Sequence, residues 1–190
     1  MSTVVFDTSM SLDGYMTAAD RTPGEPLGAG GEQLHAWTSD VAYVESCIAQ
    51  LGAVIAGRVT YDTSVPWWGA DGPSGSARRP VFVVTHQAPE RSPEGGVYRF
   101  VTDGIESALR QAQAVAGDKA VTVMGGADLG RQYLAAGLLD EISIHLAPVF
   151  FGSGTEMFQP LDLGHVPLDL VEAIESPLAV HLRYRIVKDA

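Results

Sequence analysis

Cysteine is all but absent from this chain: Cys47 is the only one in 190 residues. That excludes an intrachain disulfide and a cysteine-based metal site. Cys47 falls in an apolar-rich helical segment and reads as a buried, inert thiol. Basic residues are also scarce, 12 Lys and Arg against 23 Asp and Glu, for a formal charge of −11. A nucleic-acid partner is therefore not expected, because such binding needs a basic face that displaces counterions. An anionic cofactor is still compatible, since charges beyond roughly 8–10 Å are screened at cellular salt and a few local cations suffice. No apolar run approaches the ~20 residues of a membrane helix. Met1-Ser2-Thr3-Val4-Val5-Phe6-Asp7 lacks the basic start and long apolar core of an export signal. No membrane partner is expected, and the localisation expected is cytoplasmic.

Familiar motifs are missing too. Gly28-Ala29-Gly30-Gly31-Glu32-Gln33 lacks the third glycine of the dinucleotide fingerprint, and Gly125 to Gly130 has the wrong spacing. No loop ends in Gly-Lys-Ser or Gly-Lys-Thr, and Gly72-Pro73-Ser74-Gly75 is not a nucleophile elbow. His35, His86, His145, His165 and His181 are scattered without metal-ligand spacing, so no metal is expected. His145 and His181 fall on strand-like segments and read as polar-face residues rather than catalysts.

What is present is an α/β pattern. Hydrophobic residues make up 46% of the chain, enough for a real core in one domain spanning 1–190. Thr3–Met10 reads as a first strand, followed by a polar loop from Ser11 to about Gly31. Val41, Val44, Ile48 and Leu51 fall at helical spacing, with Trp37 one turn earlier. Ala53–Ala56, Pro80–Thr85 and Val97–Val101 read as short strands. Val59–Thr63 reads as a short helix, and Ser64–Arg79, with Trp67-Trp68, as a loop. Asp103 and Glu106 have capping-box spacing before a helix whose apolar face is Ile105, Ala108, Leu109, Ala112 and Val115. Near the C-terminus Ile142–Leu146 and Val180–Ile186 alternate as half-exposed strands. Early βα alternation and late strand pairing imply a mixed, mostly parallel sheet with antiparallel C-terminal strands. The late strands offer an exposed edge or face that a second copy could cover, so a homodimer is expected.

The run Val121-Thr122-Val123-Met124-Gly125-Gly126-Ala127-Asp128-Leu129 reads as strand, glycine turn and helix start. Glycines let a backbone approach a ligand closely, and a helix start offers free N–H groups to an anion. A simple turn explains the same residues.

Four blocks in order resemble the dihydrofolate-reductase-like superfamily, and more closely the reductase domain of riboflavin biosynthesis. They are Ser11-Leu12-Asp13-Gly14-Tyr15; Ala56-Gly57-Arg58-Val59-Thr60-Tyr61; Val83-Val84-Thr85-His86; and Met124-Gly125-Gly126 with Gly137-Leu138-Leu139-Asp140-Glu141. Ala147 to Gly154 is similar to this group as well. The resemblance implies that fold and NADPH bound across the carboxyl ends of the strands. Gly57, Arg58, Val59 and Thr60 would supply a helix start and a cation for the phosphates. Thr85 and His86 would end a strand beside the 2′-phosphate. Gly125, Gly126, Ala127, Asp128 and Leu129 would cradle the pyrophosphate and nicotinamide side, with a cis peptide between the two glycines. The chain departs from both named relatives. Trp37-Thr38-Ser39-Asp40 only loosely echoes the folate-reductase carboxylate motif, and Met124 stands where the riboflavin-pathway domain has glutamate.

The expected activity is hydride transfer to a C=N or C=O of a small pterin- or pyrimidine-like heterocycle, with a proton supplied by the protein. Asp13 is the first candidate for that catalytic group and Asp40 the second. Asp13 equally fits an Asp-Gly turn, and Asp40 a helix start. Trp37, Trp67 and Trp68 form an aromatic substrate wall or else pack in the core. Arg78 and Arg79 read as solvated. The competing functional reading is a nucleotide-binding or self-associating module without catalysis.

Overall fold

The computed structural model describes residues 2–159 and 164–188. The first half runs β1 (Val4–Ser11), β2 (Tyr15–Ala18), a 3-10 segment Gly31–Ser39, α1 (Val41–Gln50), β3 (Leu51–Gly57), α2 (Arg58–Trp68), β4 (Val81–Val84) and β5 (Tyr98–Val101). The second half runs α3 (Ile105–Ala116), β6 (Ala120–Met124), α4 (Ala127–Ala135), β7 (Glu141–Ala147), β8 (Gly154–Glu156), β9 (Leu168–Glu175) and β10 (Val180–Ile186).

Eight strands form one sheet in the order β5-β4-β3-β6-β1-β7-β10-β9. All pairs from β5 to β7 are parallel, and β10 pairs antiparallel with both β7 and β9. The fold is thus the mixed, mostly parallel α/β sheet with antiparallel C-terminal strands that the pattern implied. β2 and β8 make a separate two-stranded ribbon.

Strand alternation gives the sheet two unlike faces. On one, Val4 and Phe6 of β1, Ile55 of β3, Phe82 of β4 and Val123 of β6 meet Leu109 of α3 and Leu129 and Tyr133 of α4 in a dry core. Each fully buried side chain of this size contributes roughly 1.5–3 kcal/mol. Beneath the other face, Val54, Ala56, Val81 and Val83 pack with Tyr61 of α2. Further along that second face the sheet turns polar, and there the site lies.

Several expectations change. The Ser11–Gly31 loop contains β2, a strand too short to show a period. Leu51 begins β3 instead of ending a helix, because the chain passes from α1 to strand with no loop. Trp67 and Trp68 belong to α2, not to a loop; Pro66 lies inside the helix and breaks its sequence pattern without ending it. Asp103 and Glu106 do not build a capping box, since Gly104 is the N-cap and no side chain bonds there. The strands β7 and β10 lie inside the sheet, so the edge expected to carry a homodimer is not theirs. The edges are β5 and β9, and β9 exposes Leu168, Leu170 and Val171.

Gly130 provides a stability test of the α4–β1 packing. A Cβ built there would meet the Phe6 ring at 2.3–2.6 Å, and Phe6 is buried. Gly130→Ala is therefore expected to destabilise by about 1–3 kcal/mol, the usual cost of overpacking, and to lower Tm by several degrees. An unchanged melting temperature would show that the helix can move off the strand.

Candidate functional site

The carboxyl ends of β3 and β6 each run into a helix led by glycine. Gly57 is the N-cap of α2 and Gly126 the N-cap of α4, and neither helix has a side-chain cap. Their first N–H groups therefore lack the partner that Ser, Thr, Asp or Asn would provide. The two starts touch: Gly57 N–H donates to the Gly125 carbonyl at 3.3 Å. The Gly125–Gly126 peptide is cis, and Gly125 has φ +54°. Two helix dipoles thus present their positive ends to one place, an arrangement suited to phosphate.

Arg58 stands at the rim of this place. Its Nε donates to both Asp62 oxygens at 2.8 Å, and its Nη1 donates to the Gln87 carbonyl at 2.7 Å. That ties the start of α2 to the end of β4, where Thr85 and His86 lie. Asp128 forms an ion pair with Arg131. Every residue expected at the cofactor, from Gly57–Thr60 through Thr85-His86 to Gly125–Leu129, lines one cleft of about 1780 Å³.

The same cleft continues over the polar half of the sheet. Register places Asp7 of β1 opposite Met124, the residue before the glycine pair, and opposite Ser143 of β7. The next row holds Ser9, His145 of β7 and His181 of β10. Helix α1 lies above this floor and buries none of its residues. Tyr43, Val44, Cys47 and Ile48 line the cleft from α1. An amphipathic helix normally seals against its sheet; here the cleft opens between apolar α1 side chains and a polar floor, and is closed at one end where Tyr43 stacks on His181.

Asp7 keeps 24% of its side-chain exposure and faces His145 Nε2 at 3.4 Å. Burial alone would raise its carboxyl, but His145, a bond from Ser143 and the charge of Arg183 together hold it below the ordinary range. Burial lowers His181, and His35, exposed at the surface but desolvated on its cleft side, is lowered too, with His145 adding repulsion to each. Burial raises the Cys47 thiol, as an inert cysteine requires, although Cys47 is only half-buried and faces the cleft.

The other site candidates divide. Trp37 and Trp68 line the cleft. Trp67 does not; it is 69% exposed at the end of α2. Asp13 lies off the cleft and is engaged in a turn. Its carboxylate accepts from the Ser11 hydroxyl at 2.6 Å and from Gly152 N–H at 2.7 Å. Slight desolvation would raise its pKa, but these bonds outweigh it and the carboxyl is lowered. Asp40 is the N-cap of α1 and accepts from Tyr43 N–H at 3.1 Å. Neither carboxylate lines the cleft. Asp7, a single Asp at the end of Val4-Val5-Phe6, has no local signature in the sequence; only the register across β6, β1 and β7 brings it to the cleft. His145 and His181 do lie on a polar face, but it is the inner face of the cleft and both are buried.

The lowered histidines give a pH dependence. Above the ordinary histidine range, near 6.5, His35 and His181 are neutral in folded and unfolded chains alike. As pH falls through that value the unfolded chain takes up protons that the folded chain resists, and stability drops. Tm is expected to decline between pH 7.5 and pH 5.5, less steeply in His181→Gln. A flat profile across that window would contradict the burial of the His181 ring.

Residues 2–181 match the RibD C-terminal domain family. The chain belongs to that family. Among solved structures, this RibD C-terminal domain resembles a candidate riboflavin biosynthesis protein from Shewanella sp. PV-4 at 22% identity and TM-score 0.72, over 99% of this chain and all of that one. It resembles the diaminohydroxyphosphoribosylaminopyrimidine deaminase/5-amino-6-(5-phosphoribosylamino)uracil reductase of Thermotoga maritima at 16% identity and TM-score 0.67. That alignment covers 98% of this chain and 57% of the bifunctional protein, so the domain spans little more than half of that relative. Dihydrofolate reductase from Enterococcus faecalis, solved with NADP(H) and RAB-propyl, aligns at 16% identity and TM-score 0.61 over 98% of this chain and 97% of that one. At such identities the likeness establishes the fold, a dihydrofolate-reductase-like one. A search of curated proteins gives no match.

Proposed function

We propose that this RibD C-terminal domain is an NADPH-dependent reductase that transfers a hydride to a C=N or C=O of a small pterin- or pyrimidine-like heterocycle. The observation that carries the reading is the pair of uncapped, glycine-led helix starts in contact at the carboxyl ends of β3 and β6. Their fit to a dinucleotide is good. The backbone amides face a wide cleft, Gly125 carries no side chain, and Arg58 brings a cation to the rim. When bound, NADPH supplies the hydride. Gly57–Thr60 and Gly126–Leu129 hold its phosphates, and Thr85-His86 faces the adenosine end. The acceptor lies in the gap between α1 and the polar floor, with Trp37 and Tyr43 as its aromatic wall. Asp7 is the group within reach of a reacting nitrogen or oxygen, since its strand position adjoins Met124 and the glycine pair. Asp13 and Asp40 take structural roles in this scheme.

The strand ending at Thr85-His86 places no carboxylate where one would grip a free ribose hydroxyl. NADPH is therefore expected to raise Tm more than NADH at equal concentration and moderate salt. Equal shifts would remove the basis for a 2′-phosphate site. The protein loaded with NADPH should then oxidise it in the presence of at least one member of a panel of pterins, aminopyrimidines and cyclic imines. A stable NADPH complex that reduces none of them would favour a binding module instead.

A further inference from the structure

We propose that Asp7, His145 and His181 form a proton-carrying chain that ends at the hydride acceptor, with Asp7 delivering the proton and the two histidines supplying it. The inference rests on the reductase reading for the identity of the acceptor, but the chain itself is a property of this protein alone.

The geometry restricts where protons can lie. His145 Nδ1 and His181 Nδ1 are 2.8 Å apart. That contact accommodates a single proton: with none, two lone pairs oppose each other, and with two, the hydrogens clash. On its other side His145 Nε2 faces Asp7 Oδ1 at 3.4 Å, and an ionised carboxylate can only accept. His145 therefore carries its proton on Nε2 and accepts at Nδ1, which makes His181 the donor from Nδ1. The tautomers of both rings follow from one carboxylate. Along the chain His181 Nδ1–H donates to His145 Nδ1, and His145 Nε2–H points at the Asp7 carboxylate, which accepts.

The rings are held in this order. Trp37 lies over His145 with centroids 3.9 Å apart, and Tyr43 stacks on His181 at 3.9 Å and 22°. The Trp37 indole N–H donates to Ser9 at 2.9 Å. The groups facing the chain are His35 of the 3-10 segment, Asp40 at the α1 N-cap, Tyr43 and Cys47 of α1, Arg183 of β10 and Glu172 of β9. Burial disfavours a resting charge on His181. A structural buried cluster would need the contacts but not this directionality.

The transfer balances as follows. Hydride addition to the acceptor carbon places the C=N electron pair on nitrogen. A proton entering at His181 Nε2 releases the Nδ1 proton to His145, and His145 releases its Nε2 proton to Asp7. Asp7 gives that proton to the nitrogen, completing the N–H, and returns to its ionised state. One hydride and one proton are consumed, and exchange with water restores the tautomers.

The test uses the full chain and has one readout that needs no acceptor. Long-range 1H–15N correlation of the histidine side chains is expected to show His145 protonated at Nε2 and His181 at Nδ1. His181→Asn keeps a donor at the position of Nδ1 but cannot pass a proton on. It should preserve the His145 tautomer and the NADPH dissociation constant. With whichever heterocycle of the panel supports NADPH oxidation, it should lower the single-turnover rate at least tenfold, with the loss growing as pH rises. His145 protonated at Nδ1, or a wild-type rate in His181→Asn, would overturn the proposal. If no heterocycle oxidises NADPH the reductase reading fails, and the tautomers alone decide whether the chain exists.

Discussion

Asp7→Asn is expected to lower turnover at least 100-fold while leaving NADPH affinity within threefold. A hundredfold corresponds to about 2.7 kcal/mol of transition-state stabilisation. The motivation is position. Asp7 shares its register with Met124 and Ser143 and keeps a quarter of its exposure toward the cleft. Asparagine has nearly the same shape and retains a carbonyl oxygen for the Ser143 and His145 contacts, so the fold should persist. It has no carboxylate to take up and return a proton. Far-UV circular dichroism and the NADPH dissociation constant separate lost chemistry from lost structure. Turnover within threefold of wild type in a folded variant would remove Asp7 from the reaction.

Gly126→Ala is expected to weaken NADPH binding at least tenfold, about 1.4 kcal/mol. The geometry makes this substitution a clean probe. Gly126 has φ −78°, an ordinary value for any residue. A Cβ there would meet only the Thr60 hydroxyl, at 3.6 Å, which is normal contact. The folded chain therefore accommodates alanine with little change in stability, and a methyl at the tip of α4 is felt by whatever approaches the helix start. Gly125 would be a poorer probe, because its φ of +54° makes any side chain strained. Intact affinity in Gly126→Ala would place the cofactor elsewhere.

The parts of the molecule that are legible in sequence are those with local signatures. Val121–Met124 followed by two glycines announces a strand and a helix start. Gly57-Arg58 does the same one crossover earlier, and the apolar stripe of α3 is plain. The structure brings the two glycine-led helix starts together at the carboxyl ends of β3 and β6 and packs the α3 stripe into the core. The polar end of the cleft, where we place the acceptor, is legible only after folding. Its floor combines single residues from β1, β7, β9 and β10, each an unremarkable polar position in its own strand. The carboxylates that do stand out locally, Asp13 before a glycine and Asp40 before a helix, stand out for their backbone roles. Asp13 clamps the Phe151–Gly152 segment and Asp40 caps α1. Trp67 and Trp68 are adjacent in sequence, yet only Trp68 reaches the cleft, since neighbours on a helix point about 100° apart. Strand β9 is hard to read because both of its faces are exposed and its polar and apolar residues do not alternate.

The most direct test is an NADPH titration of the 15N-labelled protein followed through its backbone amides. The largest shifts are expected at Gly57–Thr60 and Gly126–Leu129, with smaller ones at Thr85 and His86, and saturation at one cofactor per chain. Saturable shifts centred anywhere else, or none at millimolar NADPH, would contradict a dinucleotide held between the starts of α2 and α4.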